Sequence, residues 1–528
     1  MLFGAQRLLN LPFMTKRFLG SYPALLLSFA AAFAVGCVGD TDEEDVDEST
    51  AELQEGAWED DDEKLASEEL QRGGVDSLSV QGNTVRANGK RFVSRGVIFE
   101  GFLYTKRDIQ KCVDENYNGD NDGRKFCQRH LLSREYYEGK GTFAGKDALT
   151  LAIDNWRVNT VRFNLNQNAL DPDSPGHDPD YIDEIAKVTK MARNRGLVVI
   201  LAPFSGRNEG APDKLVTKFP KYPMPTQATM GAIEVLSKRF GDDTGVAFDL
   251  FNEPFGNWKT FIDGGRGTGE WANVNFVGVN DLLNRMRGRG AKNVAIVQGL
   301  AADWSDYPGG LNDNKLVFSG HPFLPNQPQQ LEGEKIDWFS MFGDIARQKP
   351  FWITAWDASA RDGWCKKFGI DTATQFVQYL DKKDIGLVGF AFDVPYSMTR
   401  DFRDEFDKPT VMGEACADSA GAHAGDIMQR SFLGTLPKLQ NDRPKGGKLS
   451  VSKNQKAGRP IVIEVDAKDP DKDPLSYALK VEGEGMGPRK HGATLRVTFD
   501  RPGAKKVTIS VADNKGAMIR RTVTLRPK

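Results

Sequence analysis

Eight short apolar runs between residues 92 and 392, most of them followed by an amphipathic stretch, constrain the fold of this chain more than any other feature. They are "FVSRGVIF", "NTVRFNL", "LVVILAPF", "VAFDLFN", "NVAIVQG", "KLVFSGH", "PFWITAW" and "GLVGFAF". Helical patterns such as "KDALTLAIDNW", "YIDEIAKVTKMARNRG", "TMGAIEVLSKRF", "VNDLLNRMRGRG" and "TQFVQYLDKKD" lie between most of them. Continuous rather than alternating apolar strands are covered on both faces, which parallel strands joined by helices achieve. Eight such units predict an α/β fold, a closed (β/α)8 barrel, over residues 78–435. A hairpin in "SLSVQGNTVRANGKRFVSRG" is expected to lead into it.

The pattern changes near Pro437. Residues 436–447 read as a linker, and 448–528 carry short alternating strands without helices. That composition predicts a small immunoglobulin-like or cadherin-like β-sandwich. In its turn "DAKDPDKDPLSY", Asp466, Asp469, Asp471 and Asp473 offer hard oxygen ligands suited to Ca²⁺, and an ordinary Asp/Pro turn explains them equally well. No cofactor is expected for the barrel.

The N-terminus reads as a targeting segment. Lys16 and Arg17 precede an apolar run that ends in Ala34-Val35-Gly36-Cys37. Residues 1–37 then form a lipoprotein-type signal with Cys37 as the lipidated residue, the competing reading being an uncleaved anchor helix. Both readings export the protein to the cell envelope and attach it to the membrane. Residues 38–77 read as an acidic tether: between Asp40 and Glu69 stand 16 acidic residues against one Lys, too few of them apolar to build a core. The remaining chain is mildly basic and shows no Lys/Arg run with interleaved aromatics, so nucleic acid is not an expected partner. A monomer is expected. Export suits disulfides, and Cys112–Cys127 and Cys365–Cys416 are the local pairings among those that sequence leaves open.

In such a barrel the reactive groups sit at the C-terminal strand ends. The fourth strand ends "FDLFNEPFGNW", placing Asn252 and Glu253 there. With Arg162 ending the second strand, His321 the sixth, and "PMPT" at 223–226, the chain resembles glycoside hydrolase family 5, the cellulase and mannanase family. The resemblance implies that Glu253 is the general acid/base, and that Asn252 contacts the sugar 2-hydroxyl. It implies β-glycan as the substrate class and a glutamate nucleophile on strand seven.

In "ITAWDAS" that nucleophile position is Ala355. Two further family positions differ: the tyrosine that follows the strand-six histidine is Phe323, and the strand-eight tryptophan is Phe390. A retaining glycosidase needs two carboxyls about 5–5.5 Å apart, an inverting one about 6.5–9.5 Å. Asp357, two residues and about 6.6 Å further along an extended strand, and Asp393, after strand eight, are the candidate substitutes. Trp258, Trp304 and Trp356 are candidate sugar-stacking residues. Three readings follow: a hydrolase that is weak or uses another carboxylate, a glycan-binding protein without turnover, and a structural surface protein.

Overall fold

A computed structural model of the chain describes residues 59–60, 70, 73–114, 146–204, 222–324, 338–358, 367–394, 397–401, 405–412, 423–482, 493–513 and 515–528. The signal segment with Cys37, most of the tether, and Cys127, Cys365 and Cys416 lie outside them, as does the side chain of Cys112, so both disulfide pairings fall outside the described residues. Among the described residues no helix is long and apolar enough to cross a membrane.

Eight parallel strands close into a barrel in chain order. They are β1 (Arg95–Phe99), β2 (Thr160–Asn166), β3 (Val198–Phe204), β4 (Val246–Asp249), β5 (Val294–Gln298), β6 (Leu316–Gly320), β7 (Phe351–Trp356) and β8 (Gly386–Gly389). Each lies inside one of the apolar runs read from sequence. The barrel closes where β8 pairs with β1, Leu387 opposite Arg95.

Two apolar layers follow from the pleat. Alternate residues such as Val97, Val161, Phe163, Val199, Leu201 and Phe248 point outward and are covered by helices. These include α1 (Ala148–Trp156), α2 (Tyr181–Arg193), α3 (Gln227–Phe240), α4 (Val279–Gly288), α5 (Lys367–Lys383) and α6 (Gly425–Leu433). The start of α1 is fixed by Asp147, whose carboxylate accepts from Thr150 N at 2.9 Å, satisfying one orphan donor of the first turn. Ile98, Ile200, Ala247, Ile296, Val317 and Val388 point inward. The predicted hairpin, Leu78–Gln81 with Thr84–Ala87, packs Leu78 and Val85 on that inner cluster and plugs the base of the barrel.

The strand β7 departs from simple alternation. Ile353 pairs with Leu387 and Trp356 with Gly389, so three steps on β7 face two on β8. That is a β-bulge, one extra residue in one strand. Its result is that Thr354 and Ala355 both face the barrel interior. Ile353 and Trp356 on either side join the outer layer.

Residues 445–525 fold into two antiparallel sheets around one apolar core that contains Ile461, Ile463, Leu479, Leu495, Val507, Ile509, Val511 and Val523. One sheet holds β9 (Lys445–Val451), β10 (Ile461–Lys468) and β12 (Thr494–Val497). The other holds β11 (Ser476–Val481), β13 (Lys505–Ala512) and β14 (Met518–Leu525).

Candidate active site

The C-terminal strand ends bring a polar network together on one side of the barrel mouth. Arg162, on β2, is 1% exposed and spreads its guanidinium over three acceptors. It donates to Asn164 Oδ1 at 2.7 Å, to Asn252 Oδ1 at 2.7 Å and to Asp249 Oδ2 at 3.0 Å. Asp249 is fully buried, so the pair is a desolvated ion pair that stands only because hydrogen bonds accompany it. Because Arg162 engages the Asn252 carbonyl, the Asn252 amide N–H₂ is the end left to donate to a ligand hydroxyl.

Glu253 follows with φ of +53°, a left-handed backbone that non-glycine residues seldom adopt. Three tethers hold it there. Glu253 N donates to Gln298 Oε1 at 2.9 Å, and Gln298 Nε2 in turn donates to Asp249 Oδ2 at 2.7 Å. Ala301 N donates to Pro254 O at 2.9 Å, and Phe255 N donates to Pro223 O at 3.0 Å. The "PMPT" segment therefore braces the loop that carries the acid. Strain concentrated at a site and held by its surroundings is a common property of functional loops.

His321, at the end of β6, links this loop to β7. Its Nδ1 lies 3.2 Å from Glu253 Oε1 and its Nε2 2.9 Å from Thr354 Oγ1. Thr354 Oγ1 also shares a hydrogen bond with Ser319 Oγ. Burial pushes the His321 pKa down, an effect that the hydrogen bond with Glu253 opposes and the Arg162 charge reinforces. A neutral imidazole between two hydrogen-bonding groups can accept a proton on one nitrogen while donating from the other. Glu253 keeps 31% of its side chain exposed, and so can reach a ligand from this frame.

The opposite side of the mouth is apolar. Ala355 is 2% exposed and belongs to the inner cluster with Trp352, Phe390 and Ala391, against which Phe323 packs. Phe323 and Phe390 meet edge to face at 5.7 Å, and the Phe323 ring centroid is 6.3 Å from that of His321. The bulge aims Ala355 into the barrel beside Thr354, so a carboxylate at this position would face the polar network.

Neither candidate substitute stands free. Asp393 accepts from Glu100 N at 2.9 and 3.0 Å and from Gly101 N at 2.9 Å, pinning the loop after β1. It is an anchor of backbone rather than a group turned to a ligand. Asp357 Oδ2 pairs with His423 Nδ1, and its Oδ1 is buried without a hydrogen-bond partner among the described residues. Two tryptophans need correction as sugar platforms. Trp356 is fully buried in the outer layer, stacked on Phe376 at 5.3 Å, so it cannot line the cleft. Trp304 is also fully buried and donates to Ser319 O at 2.7 Å. Trp258, half-buried against Trp304 at 5.2 Å, retains an accessible face.

Sequence reading missed Asp249 and Gln298, which hold Glu253 and Arg162 in place. It also missed Glu100, a buried carboxylate after β1 that accepts from Asn164 Nδ2 at 3.4 Å. Their only signal was position at an inward-facing strand end. In the C-terminal sheets, Asp469, Asp471 and Asp473 converge, with carboxylate oxygens within 4.8 Å of one another; Asp466 is not part of the group. Lys515 Nζ meets Asp473 Oδ2 at 2.8 Å, so the turn already holds one internal cation.

Comparison with known proteins decides the family. The model of the cellulase family (glycosyl hydrolase family 5) matches residues 120–394. The chain belongs to glycosyl hydrolase family 5. Like other family-5 proteins described in solved structures, it is similar to an endocellulase of Pyrococcus horikoshii in complex with cellotetraose. That match has 15% identity and a TM-score of 0.44, over 70% of this chain and 100% of the other. The catalytic domain of the Thermobifida fusca endoglucanase Cel5A is 13% identical with a TM-score of 0.41, over 68% and 97%. A search among curated proteins gives no match.

Proposed function

We propose that this family-5 protein is an exported β-glycan-binding protein, in which double-displacement hydrolysis is disabled by loss of its nucleophile. The observation that carries the reading is the pairing of an intact acid side with an apolar nucleophile side. Glu253, Asn252, Arg162 and His321 form a preorganised set of hydrogen-bonding groups, whereas Ala355 is packed among hydrocarbon with Phe323 and Phe390 as neighbours. A covalent glycosyl intermediate needs an attacking carboxylate, and an alanine methyl cannot supply one. The amide of Asn252 and the carboxyl of Glu253 suit adjacent sugar hydroxyls, and Phe390 with the open face of Trp258 suits the C–H faces of pyranose rings. Cys37 lipidation would hold the protein at the cell envelope.

One observation favours a second reading. Asp357 sits one residue beyond β7, bonded to His423 through one oxygen while the other is unpartnered among the described residues. A carboxylate in that position could activate a water for single displacement with inversion.

Calorimetric titration with cello-, manno- and xylo-oligosaccharides, run beside a reducing-end assay, separates the readings. Binding that Glu253→Gln and Asn252→Ala weaken, without release of reducing ends, supports the glycan-binding reading. Turnover abolished by Glu253→Gln and by Asp357→Asn supports inversion and refutes it. Neither binding nor turnover refutes both.

A further inference from the structure

We propose that the acidic segment Glu59–Leu70 docks along a cationic cleft between the C-terminal sandwich and the base of the barrel, and ties the two together. Both ends of this segment are placed by backbone pairing. Glu59 and Asp60 add an antiparallel strand to the edge of β14, Glu59 opposite Arg520 and Asp60 opposite Ile519. Leu70 forms a parallel bridge to Arg91, in the short third strand of the hairpin that plugs the barrel.

The same two arginines line one cleft of about 310 Å³ that runs between the sandwich and the barrel base. Arg347 and Lys383 line it as well, against a single acid, Asp384, which itself pairs with Arg91. Ten residue steps from Asp60 to Leu70 extend to at most about 33–36 Å, so the connecting chain has little freedom to stray from the cleft that joins its anchors. Residues 61–69 carry five acids and one lysine. An excess of negative charge thus faces an excess of positive charge at both fixed ends and along the path between them.

The seam itself has a need for such a tie. Its apolar contact is a cluster of Phe339, Ala478, Ala512 and Met518, two of the four being alanines. Lys480 Nζ to Gln348 Oε1 at 2.7 Å adds one polar contact. A small polar seam leaves domains free to move unless something else spans them. On this reading the tether is free only up to about residue 58. Beyond that point it is an edge strand followed by a strap, and the sandwich keeps a fixed orientation to the catalytic-type cleft.

Lys64 supplies the assay, because trypsin cuts after it only if the segment is accessible. The full chain is digested at low salt, with a free peptide of residues 58–72 giving the undocked rate. The natural chain should be cut after Lys64 at least about tenfold more slowly than the peptide, a docking preference of about 1.4 kcal/mol. Arg520→Glu, which leaves the cleavage sequence untouched, should restore the fast rate, as should joint Asp61→Asn, Asp62→Asn, Glu68→Gln and Glu69→Gln. Lys448→Glu on the other sheet should not. Salt near 0.5 M, where the Debye length is roughly 4 Å, should accelerate cutting of the natural chain but not of the peptide. Should Arg520→Glu unfold the sandwich, the salt response and the segment variant still decide the matter. Cutting of the natural chain at the peptide's rate overturns the proposal. So does protection indifferent to salt and charge, and protection that rises with protein concentration would assign the cleft to a second copy's segment.

Discussion

Ala355→Glu, combined with Phe323→Tyr, tests the site directly. Ala355 is 2% exposed in a cluster with Trp352, Phe390 and Ala391, and the neighbouring hydroxyl, that of Thr354, already serves His321 and Ser319. A glutamate there is a buried charge without a dedicated partner, which typically costs about 3–5 kcal/mol. The loss should be largest at high pH, because burial raises the carboxyl pKa and the protonated form is cheaper to bury. Phe323→Tyr alone adds one hydroxyl to a half-buried ring and should change stability by no more than about 1 kcal/mol. In the double variant that hydroxyl can donate to the new carboxylate, a charge-assisted bond that contributes about 1.5–3 kcal/mol. Urea unfolding of the four proteins at fixed pH gives the coupling energy. Intact-mass analysis after incubation with an activated aryl β-glycoside reads the chemistry, a covalent glycosyl adduct being expected only in the two proteins that carry Ala355→Glu. Stability changes that add to within about 0.5 kcal/mol would show that positions 323 and 355 do not face each other, and would refute the assignment of Ala355 to the nucleophile position.

Four further outcomes follow from the same geometry. Arg162→Met leaves Asp249 buried without its cation and should lower unfolding free energy by about 3–5 kcal/mol, part of which Asp249→Asn should recover. Asp393→Ala orphans the buried N–H groups of Glu100 and Gly101 at about 1–3 kcal/mol each, and should weaken stability without selectively changing glycan affinity in calorimetry. For His321 the folded pKa lies below its ordinary value of about 6.5. The unfolded chain therefore takes up the proton first. The stability that a neutral His321 contributes is complete above about pH 6.5 and is lost as pH falls through the folded value, by at most about 1.4 kcal/mol per unit. Subtracting the profile of His321→Gln isolates it. For the C-terminal turn, Ca²⁺ at ten times its dissociation constant should stabilise by about 1.4 kcal/mol; Lys515→Ala should enlarge the shift in unfolding midpoint and Asp469→Asn abolish it.

The eight barrel strands and their order were legible because parallel strands buried on both faces leave continuous apolar runs. Glu253, Asn252, Arg162 and His321 were legible because the strand ends of this fold collect the reactive groups. The structure gathers them within direct hydrogen-bonding reach of a common network. Asp393 was legible as a carboxylate but not as an anchor, since the N–H groups it accepts lie 293 and 292 residues away in sequence. Trp304 and Trp356 have the chemistry of sugar platforms, and only packing shows them sealed beneath Tyr307, Phe318 and Phe376.

Sequence by itself determined the barrel, the acid side of the cleft and the absence of a carboxylate at position 355, because each depends on residue identity and local period. Tertiary structure alone decided where Ala355 points. The bulge between Ile353 and Trp356 exists only in the pairing of β7 with β8, and a period-2 reading of "ITAWDAS" cannot reveal an extra residue in one strand. It likewise decided that Asp249 and Gln298 hold Glu253 in its left-handed turn, a contact between strand ends far apart in the chain. The acidic tether follows the same division: its charge is written in the sequence, while its pairing at Glu59 and Leu70 depends on surfaces that exist only once the barrel and sandwich have folded.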